Sequence, residues 1–234
     1  EPLPVVRCET SDLEVPATAE IVIEGVMPPG LRELEGPYGD YSRVYDGPPR
    51  QNPVIQVQAI THREQPIYLD CLPGSRDNWL LGGVCREADL LQHLQKSMPN
   101  VKAVCLPEGA CCRFHCVVQI HKAHEYDSMH AIVGALGPTE ASRDVKWVVV
   151  VDEDIDPFDP MQVEWAIATR TQWDRDLIMI PRMGMALDPS ALARTPPALR
   201  KNGDVLSTKV GLDATIPLDP PEKIASYRRG SAGE

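Results

Sequence analysis

Aromatic residues are scarce in this 234-residue chain: Phe, Trp and Tyr together make up 5% of it. Packing therefore falls to Val, Ile, Leu, Met and Ala, and with 43% hydrophobic residues a core is within reach. No apolar run reaches the ~20 residues that a membrane-spanning helix needs. No basic n-region followed by an apolar h-region opens the chain, so a cytoplasmic location is expected. Positive charge is in deficit, with 23 Lys and Arg against 34 acids and a formal net charge of −11. Phosphate backbones and anionic bilayers attract basic surfaces, so neither nucleic acid nor membrane is expected as a partner. The seven cysteines are odd in number, in a chain too large to need disulfide staples. They read as reduced thiols.

What is present is a pair of acids on a broken backbone, Glu35-Gly36-Pro37-Tyr38-Gly39-Asp40. Gly and Pro exclude a helix interior, and the residue before Pro37 is pushed towards extended geometry. The segment is then a fixed turn with a carboxylate at each end. Two acids facing one cavity cannot both ionise cheaply, so one can hold a proton near neutral pH, as a general acid must. Acids on a turn are usually solvated, and spacing alone favours that plainer reading.

Around this turn the chain changes period. Glu20 to Glu24 and Val54 to Thr61 alternate as strands do, His62 to Pro66 reads as a turn, and Ile67 to Cys71 reads as a returning strand. Beyond Leu72-Pro73-Gly74-Ser75 the spacing predicts helices over Arg86 to Lys96, Ser128 to Leu136 and Asp159 to Arg170. Strands are expected at Val101 to Leu106, Cys112 to Ile120 and Lys146 to Val151, the last apolar on both faces. The fold class is α/β, α+β overall. From about Pro181 onward Pro, Gly and polar residues dominate. The expectation there is an extended arm, residues 182–234, with at most a short helix near Glu222 to Tyr227.

Two clusters invite a metal. Cys111, Cys112, His115, Cys116, His121 and His124 have no CxxC pair, and strand alternation would send them to opposite faces. The run Asp152-Glu153-Asp154-Ile155-Asp156 lacks the Gly and final Glu of a calcium loop. It reads instead as acids at a helix start. Neither is taken as a metal site.

The flanks of the acid turn reverse its plainer reading. Val15-Pro16-Ala17-Thr18-Ala19-Glu20-Ile21-Val22-Ile23-Glu24-Gly25 leads into it. Leu106-Pro107-Glu108-Gly109, Val149 to Asp156, Trp165 to Arg170 and Lys209-Val210-Gly211-Leu212-Asp213-Ala214-Thr215 follow in order. Together these resemble the UbiD family of reversible decarboxylases that use prenylated flavin (prenylated FMN). The resemblance implies that Glu35 hydrogen-bonds an arginine that meets the substrate carboxylate, and that Asp40 is the proton donor replacing CO2. Asp is one methylene shorter than the Glu of some relatives, so the substrate atom must come closer or a water must relay. It further implies that Tyr41, Leu177 and Met179 line the substrate pocket and that Cys71, ending a barrel strand, lies beside the flavin. The plainer readings are ordinary core for Leu177 and Met179 and a small buried hydrophobe for Cys71.

The family's metal and phosphate ligands, and its flavin-facing arginine, do not occur here. The match starts part-way through the flavin-binding barrel. Residues 1–73 are then the end of a split β-barrel carrying the acids, and 74–181 an α/β domain suited to homo-oligomer contact. An N-terminal half or separate subunit completes the barrel and supplies the Mn2+ and K+ ligands. The function implied is a carboxy-lyase acting on an aromatic or α,β-unsaturated carboxylic acid, working in a heteromeric complex. The alternative is a non-catalytic assembly or regulatory subunit, against which the retained acid pair speaks.

Overall fold

The protein is described from a computed structural model that covers all residues except 1, 46–47, 138, 141, 193, 197, 199–203 and 219–234. The chain forms two compact units, Glu1–Asp40 with Tyr45–Leu72, and Tyr41–Val44 with Pro73–Glu234.

The first unit consists of three antiparallel strand pairs: β1 (Val5–Arg7) with β2 (Glu14–Pro16), β3 (Ile21–Val26) with β6 (Gln56–His62), and β4 (Arg32–Glu35) with β5 (Arg50–Pro53). The β-branched run Ile21-Val22-Ile23 suits a pleated ladder. A bulge at Glu24/Gly25 brings Gly25 so close to the Gln56 carbonyl that a Cβ would lie 2.5 Å from it. Glu24 is the one buried side chain among the described residues of this unit. Its carboxylate accepts from the Glu9 and Thr10 amides at 2.9 and 2.7 Å and from the Thr10 hydroxyl at 2.6 Å. These bonds hold it below the usual carboxylate range. The strands' apolar side chains, Ile23, Val26, Leu34, Val57 and Ile60, are exposed within the unit.

Ile67 to Cys71 is not the returning strand that alternation suggested. Ile67 instead donates its amide to Glu20 at 3.0 Å, and the segment runs on without ladder pairing. Period-2 patterning needs a partner edge to become a strand.

The second unit is a mixed α/β fold. Its elements are α1 (Arg76–Gln95), β7 (Val101–Cys105), a single 3-10 turn (Glu108–Ala110), β8 (His115–Ile120), α2 (Asp127–Leu136), β9 (Trp147–Asp152), α3 (Pro160–Arg170), β10 (Leu177–Ala186), α4 (Pro189–Leu192) and β11 (Asp204–Asp213). The sheet order is β10-β11-β9-β8-β7, with β9 parallel to both neighbours and the outer pairs antiparallel. Val148 and Val150 enter a core with Leu90, Leu94, Ile132 and Leu136 of α1 and α2. Val149 and Val151 enter a second core with Val163 and Ala166 of α3 and Leu212 of β11. No described helix is long and apolar enough to cross a membrane.

Helix α1 begins at Arg76 rather than Arg86. Ser75 caps it by accepting from the Asn78 amide. The weak helix formers Gly82 and Gly83 hide this first half in the sequence, yet close packing requires Gly83. A Cβ at Gly83 would lie 2.7 Å from Cys112, and one at Gly82 would overlap Arg113. Among the described residues of the expected arm, 182–234, two stretches are strand instead. β10 and β11 form ten-residue antiparallel strands, and β11 sits inside the sheet. Pro181 and Arg182, the latter at φ 62°, fall in the bulge between Ile180 and Met183, where the ladder needs no amide. The helix expected near Glu222 to Tyr227 lies outside the described residues.

The acid run does not start α3 either: Asp159 caps that helix from the Met161 amide, ahead of Pro160. Asp152 and Asp154 instead hold the buried Arg170 guanidinium at 2.6–3.0 Å, and Asp152 also accepts the Ile216 amide at 2.7 Å.

Gly211 in β11 admits Ile132 of α2 so closely that a Cβ would lie 2.1 Å from its Cγ2. Gly211→Ala is therefore expected to destabilise the chain by ~1–3 kcal/mol through overpacking, read as a lower urea midpoint at unchanged slope.

Candidate active site

Glu35 is the last residue of β4, opposite Arg50 of β5, and it is exposed. The Asn52 side-chain amide donates to its Oε2. Gly36 then takes φ +96°, a conformation that other residues rarely adopt, and the Gly36–Pro37 peptide is cis. A bridge between Gly39 and Tyr45 closes the loop across Asp40. The two acids thus sit at the two ends of one rigid, non-helical loop, Glu35 open to solvent and Asp40 half-buried. Asn52 was missed at the sequence level. Its role depends on a β4–β5 register across a long connection, which no local pattern shows.

The remaining predicted residues fall on separate elements of the two units. Cys71, half-buried, lies in the irregular stretch after β6, its amide donating to Asp70 at 2.8 Å. Tyr41 belongs to the second unit. Its carbonyl accepts the Trp79 indole N–H at 2.7 Å, and its ring packs at 5.8 Å from Phe114, with the Arg113 guanidinium 5.2 Å above it. Leu177 and Met179 open β10 on one face, two residues apart.

Leu177 also lines a cavity of about 900 Å³ inside the second unit. Its polar lining is Glu87, Glu108, Glu164, His115 and thiols, and none of the described residues lining it is Lys or Arg. Glu108 is already paired with Arg76 at 2.7 Å. A cavity with carboxylates and no cation is poorly suited to a carboxylate ligand. The chemistry expected of Glu35 and Asp40 is not duplicated there.

The metal-like set is dispersed. Cys111 and Cys112 occupy a turn at φ 59° and 49°, and Cys116 faces the α1/α2 core. His121 pairs with Glu153 at 2.8 Å, and His124 stacks on Tyr126 at 5.0 Å. Among the described residues, no three His, Cys, Asp or Glu side chains stand together as a metal site. Burial pushes the thiols up, Cys105 to about 12 and Cys112 to about 11, so neither is a ready nucleophile.

His115 stacks on Trp147 at 3.5 Å, with its Nε2 unpartnered. Burial pushes it down to about 4. A depressed histidine stabilises the fold above the ordinary value of 6.5 and loses that contribution as pH falls towards 4. His115→Phe should keep the stacking surface and remove the titration. Between pH 7 and 4 the wild type should lose ~3 kcal/mol relative to this variant, measured by urea unfolding at each pH.

Three antiparallel strand pairs, one of them leading into a loop with an acid at each end, thus precede a five-stranded α/β unit. The chain belongs to the UbiD carboxy-lyase family. Residues 1–76 match the 3-octaprenyl-4-hydroxybenzoate carboxy-lyase Rift-related domain, and residues 80–214 match the C-terminal domain of the same family. It is 41% identical over 228 residues to an anhydromevalonate phosphate decarboxylase of Methanothermobacter thermautotrophicus, covering 97% of this chain and 50% of that one. It superposes on the UbiD-class enzyme HmfF of Pelotomaculum thermopropionicum in complex with FMN, with a TM-score of 0.82 and 47% identity, over 99% of this chain and 48% of that one. An evolved dimeric form of that enzyme in complex with prFMN gives 0.77 and 45%, over 99% and 46%. The chain spans about half the length of the relatives it matches.

Proposed function

We propose that this chain is the acid-bearing half of a decarboxylase that removes CO2 from an aromatic or α,β-unsaturated carboxylic acid. The observation that carries the reading is the Glu35–Asp40 loop, set within a chain that matches both the Rift-related and the C-terminal domain of a carboxy-lyase family. The family description names an aromatic acid and the archaeal relative does not, so the substrate class keeps both members.

Asp40 enters protonated and delivers its proton to the carbon that has lost CO2, and water reprotonates the carboxylate afterwards. Glu35, with one oxygen held by the Asn52 amide, keeps its other oxygen for an arginine brought by the remaining half. That clamp would orient the substrate carboxylate before the bond breaks. Tyr41, Leu177 and Met179 would supply the pocket wall. Prenylated FMN, bound in the complete protein, would supply the electron sink for the departing bond. The donor set here fits only its reactive side, through Cys71 and the two acids. Carboxylates, an amide and a thiol cannot hold a phosphate, which needs cationic or N–H donors. The phosphate end, Mn2+ and K+ are therefore assigned to the other half.

The exposed Ile23, Val57 and Ile60 support a barrel completed by that half, on the same or a separate chain, since contiguous apolar strand faces mark interfaces. The second unit would add a homotypic contact. The cysteines are free, consistent with a cytoplasmic setting.

In the complete protein, Asp40→Asn should lower turnover ~100-fold or more while changing stability by ~0.5 kcal/mol or less. Near-normal decarboxylation by a folded variant would remove the proton-donor role. Adding the other half in trans to this chain should shift its sedimentation to that of a complex; unchanged sedimentation would count against the completed barrel.

A further inference from the structure

The segment Tyr41–Val44 packs with the second unit, although Asp40 before it and Tyr45 after it belong to the first. Three contacts fasten it. The Trp79 indole N–H donates to the Tyr41 carbonyl at 2.7 Å. The Arg43 Nε–H donates to the Gly74 carbonyl at 2.8 Å. The Arg43 guanidinium also lies 4.3 Å over the Trp79 ring. The anchor itself is firm, because it is the capped first turn of α1. Trp79 donates its amide to the Ser75 carbonyl at 3.1 Å, and Asn78 accepts from the Gly74 amide at 3.2 Å. Arg43 is held at φ 62°, a left-handed conformation that a residue with a Cβ adopts only when its surroundings impose it.

We infer that Trp79 and Arg43 are positioning residues for the proton donor, fixing the backbone of Tyr41 to Arg43, which follows Asp40, to the start of α1. The inference rests on the donor reading of Asp40. A proton donor works within hydrogen-bond reach of its acceptor, and a displacement of about 1 Å can cost about 100-fold in rate. Asp40 is one methylene shorter than Glu and cannot make up such a displacement with its own side chain. Its backbone must therefore be held, and the carbonyl that Trp79 grips is that of the next residue, Tyr41. A hydrogen bond to a main-chain carbonyl fixes the backbone whatever side chain stands there.

The test uses the complete protein with Trp79→Phe, which keeps a ring beneath Arg43 and removes only the N–H donor, and Arg43→Gln at the exposed end of the strap. Rates are taken per folded active site, alongside melting temperature. The expected result for both is a fall in kcat of about 10–100-fold at near-constant KM, with a larger solvent deuterium isotope effect as proton delivery becomes limiting. Exchange of the product's new C–H with solvent deuterium should slow in parallel, since it is the same step in reverse. Normal kcat, isotope effect and exchange in folded Trp79→Phe and Arg43→Gln would overturn the inference. Asp40→Asn, run beside them, separates the two ideas. If it stays active the donor reading fails; if it is dead while both strap variants are normal, only the positioning role fails.

Discussion

The structure turns on one strand that has no solvated side. β9 presents Val148 and Val150 to one face and Val149 and Val151 to the other, all fully buried. Such a strand is stable only if both faces and both edges are covered. The edges are taken by β8 and β11, each parallel to it, which forces crossover connections and hence helices on the sheet. One face receives α1 and α2, and the other receives α3 alone. Covering two faces with unequal layers leaves the floor of the second only partly roofed. The large cavity lined by Trp147, Val117, Leu212 and Leu177 is the result. The charge cluster belongs to the same constraint. Arg170 ends the single covering helix, and Asp152 ends the buried strand. Their pairing ties the roof to the floor and also anchors the segment after β11 through Ile216.

The first unit obeys the opposite rule. Its three strand pairs are held by ladders and by the Glu24 carboxylate rather than by buried apolar side chains. Two-stranded ribbons are marginal on their own, so the apolar faces of β3 and β6 must be covered by something for the loop between β4 and β5 to be a fixed mount. That dependence explains why the acids stand on Gly- and Pro-built backbone. A loop with little core beneath it gains rigidity from restricted dihedrals, from the Asn52 amide on Glu35 and from the Gly39–Tyr45 bridge.

Elements with a strong local period were legible. β9, α2 and α3 fall within a residue or two of their expected places because apolar spacing and caps agree there. The failures share a cause: the deciding information was non-local. The first half of α1 needs Gly83 for close approach to Cys112, and the Gly82-Gly83 pair erased the helical signal. β10 and β11 read as an arm because Pro, Gly and polar residues dominate from about Pro181 onward, and only the partner strand reveals the bulge that accommodates Pro181. Ile67 to Cys71 failed in the reverse sense, with a strand pattern and no edge to pair with. The acid run read as a helix start because its true partner, Arg170, is far along the chain.

The family was legible through resemblance, and the candidate acids only weakly through physics, for a definite reason. A catalytic acid and a solvated acid on the same Gly-Pro-Gly loop have the same local chemistry; they differ in what faces them. Glu35 remains exposed within its unit, so its distinctness depends on groups outside it. Asp40 differs in kind. It is half-buried, and the carbonyl of the residue after it, Tyr41, accepts from the Trp79 indole N–H in the first turn of α1. A solvated surface acid has no need of a mount, whereas a short side chain that must place a proton within hydrogen-bond reach does. The strap through Tyr41, Arg43 and Trp79 is the physical feature that distinguishes the surroundings of Asp40 from those of Glu35, and it was invisible in sequence because Tyr41 and Trp79 lie 38 residues apart.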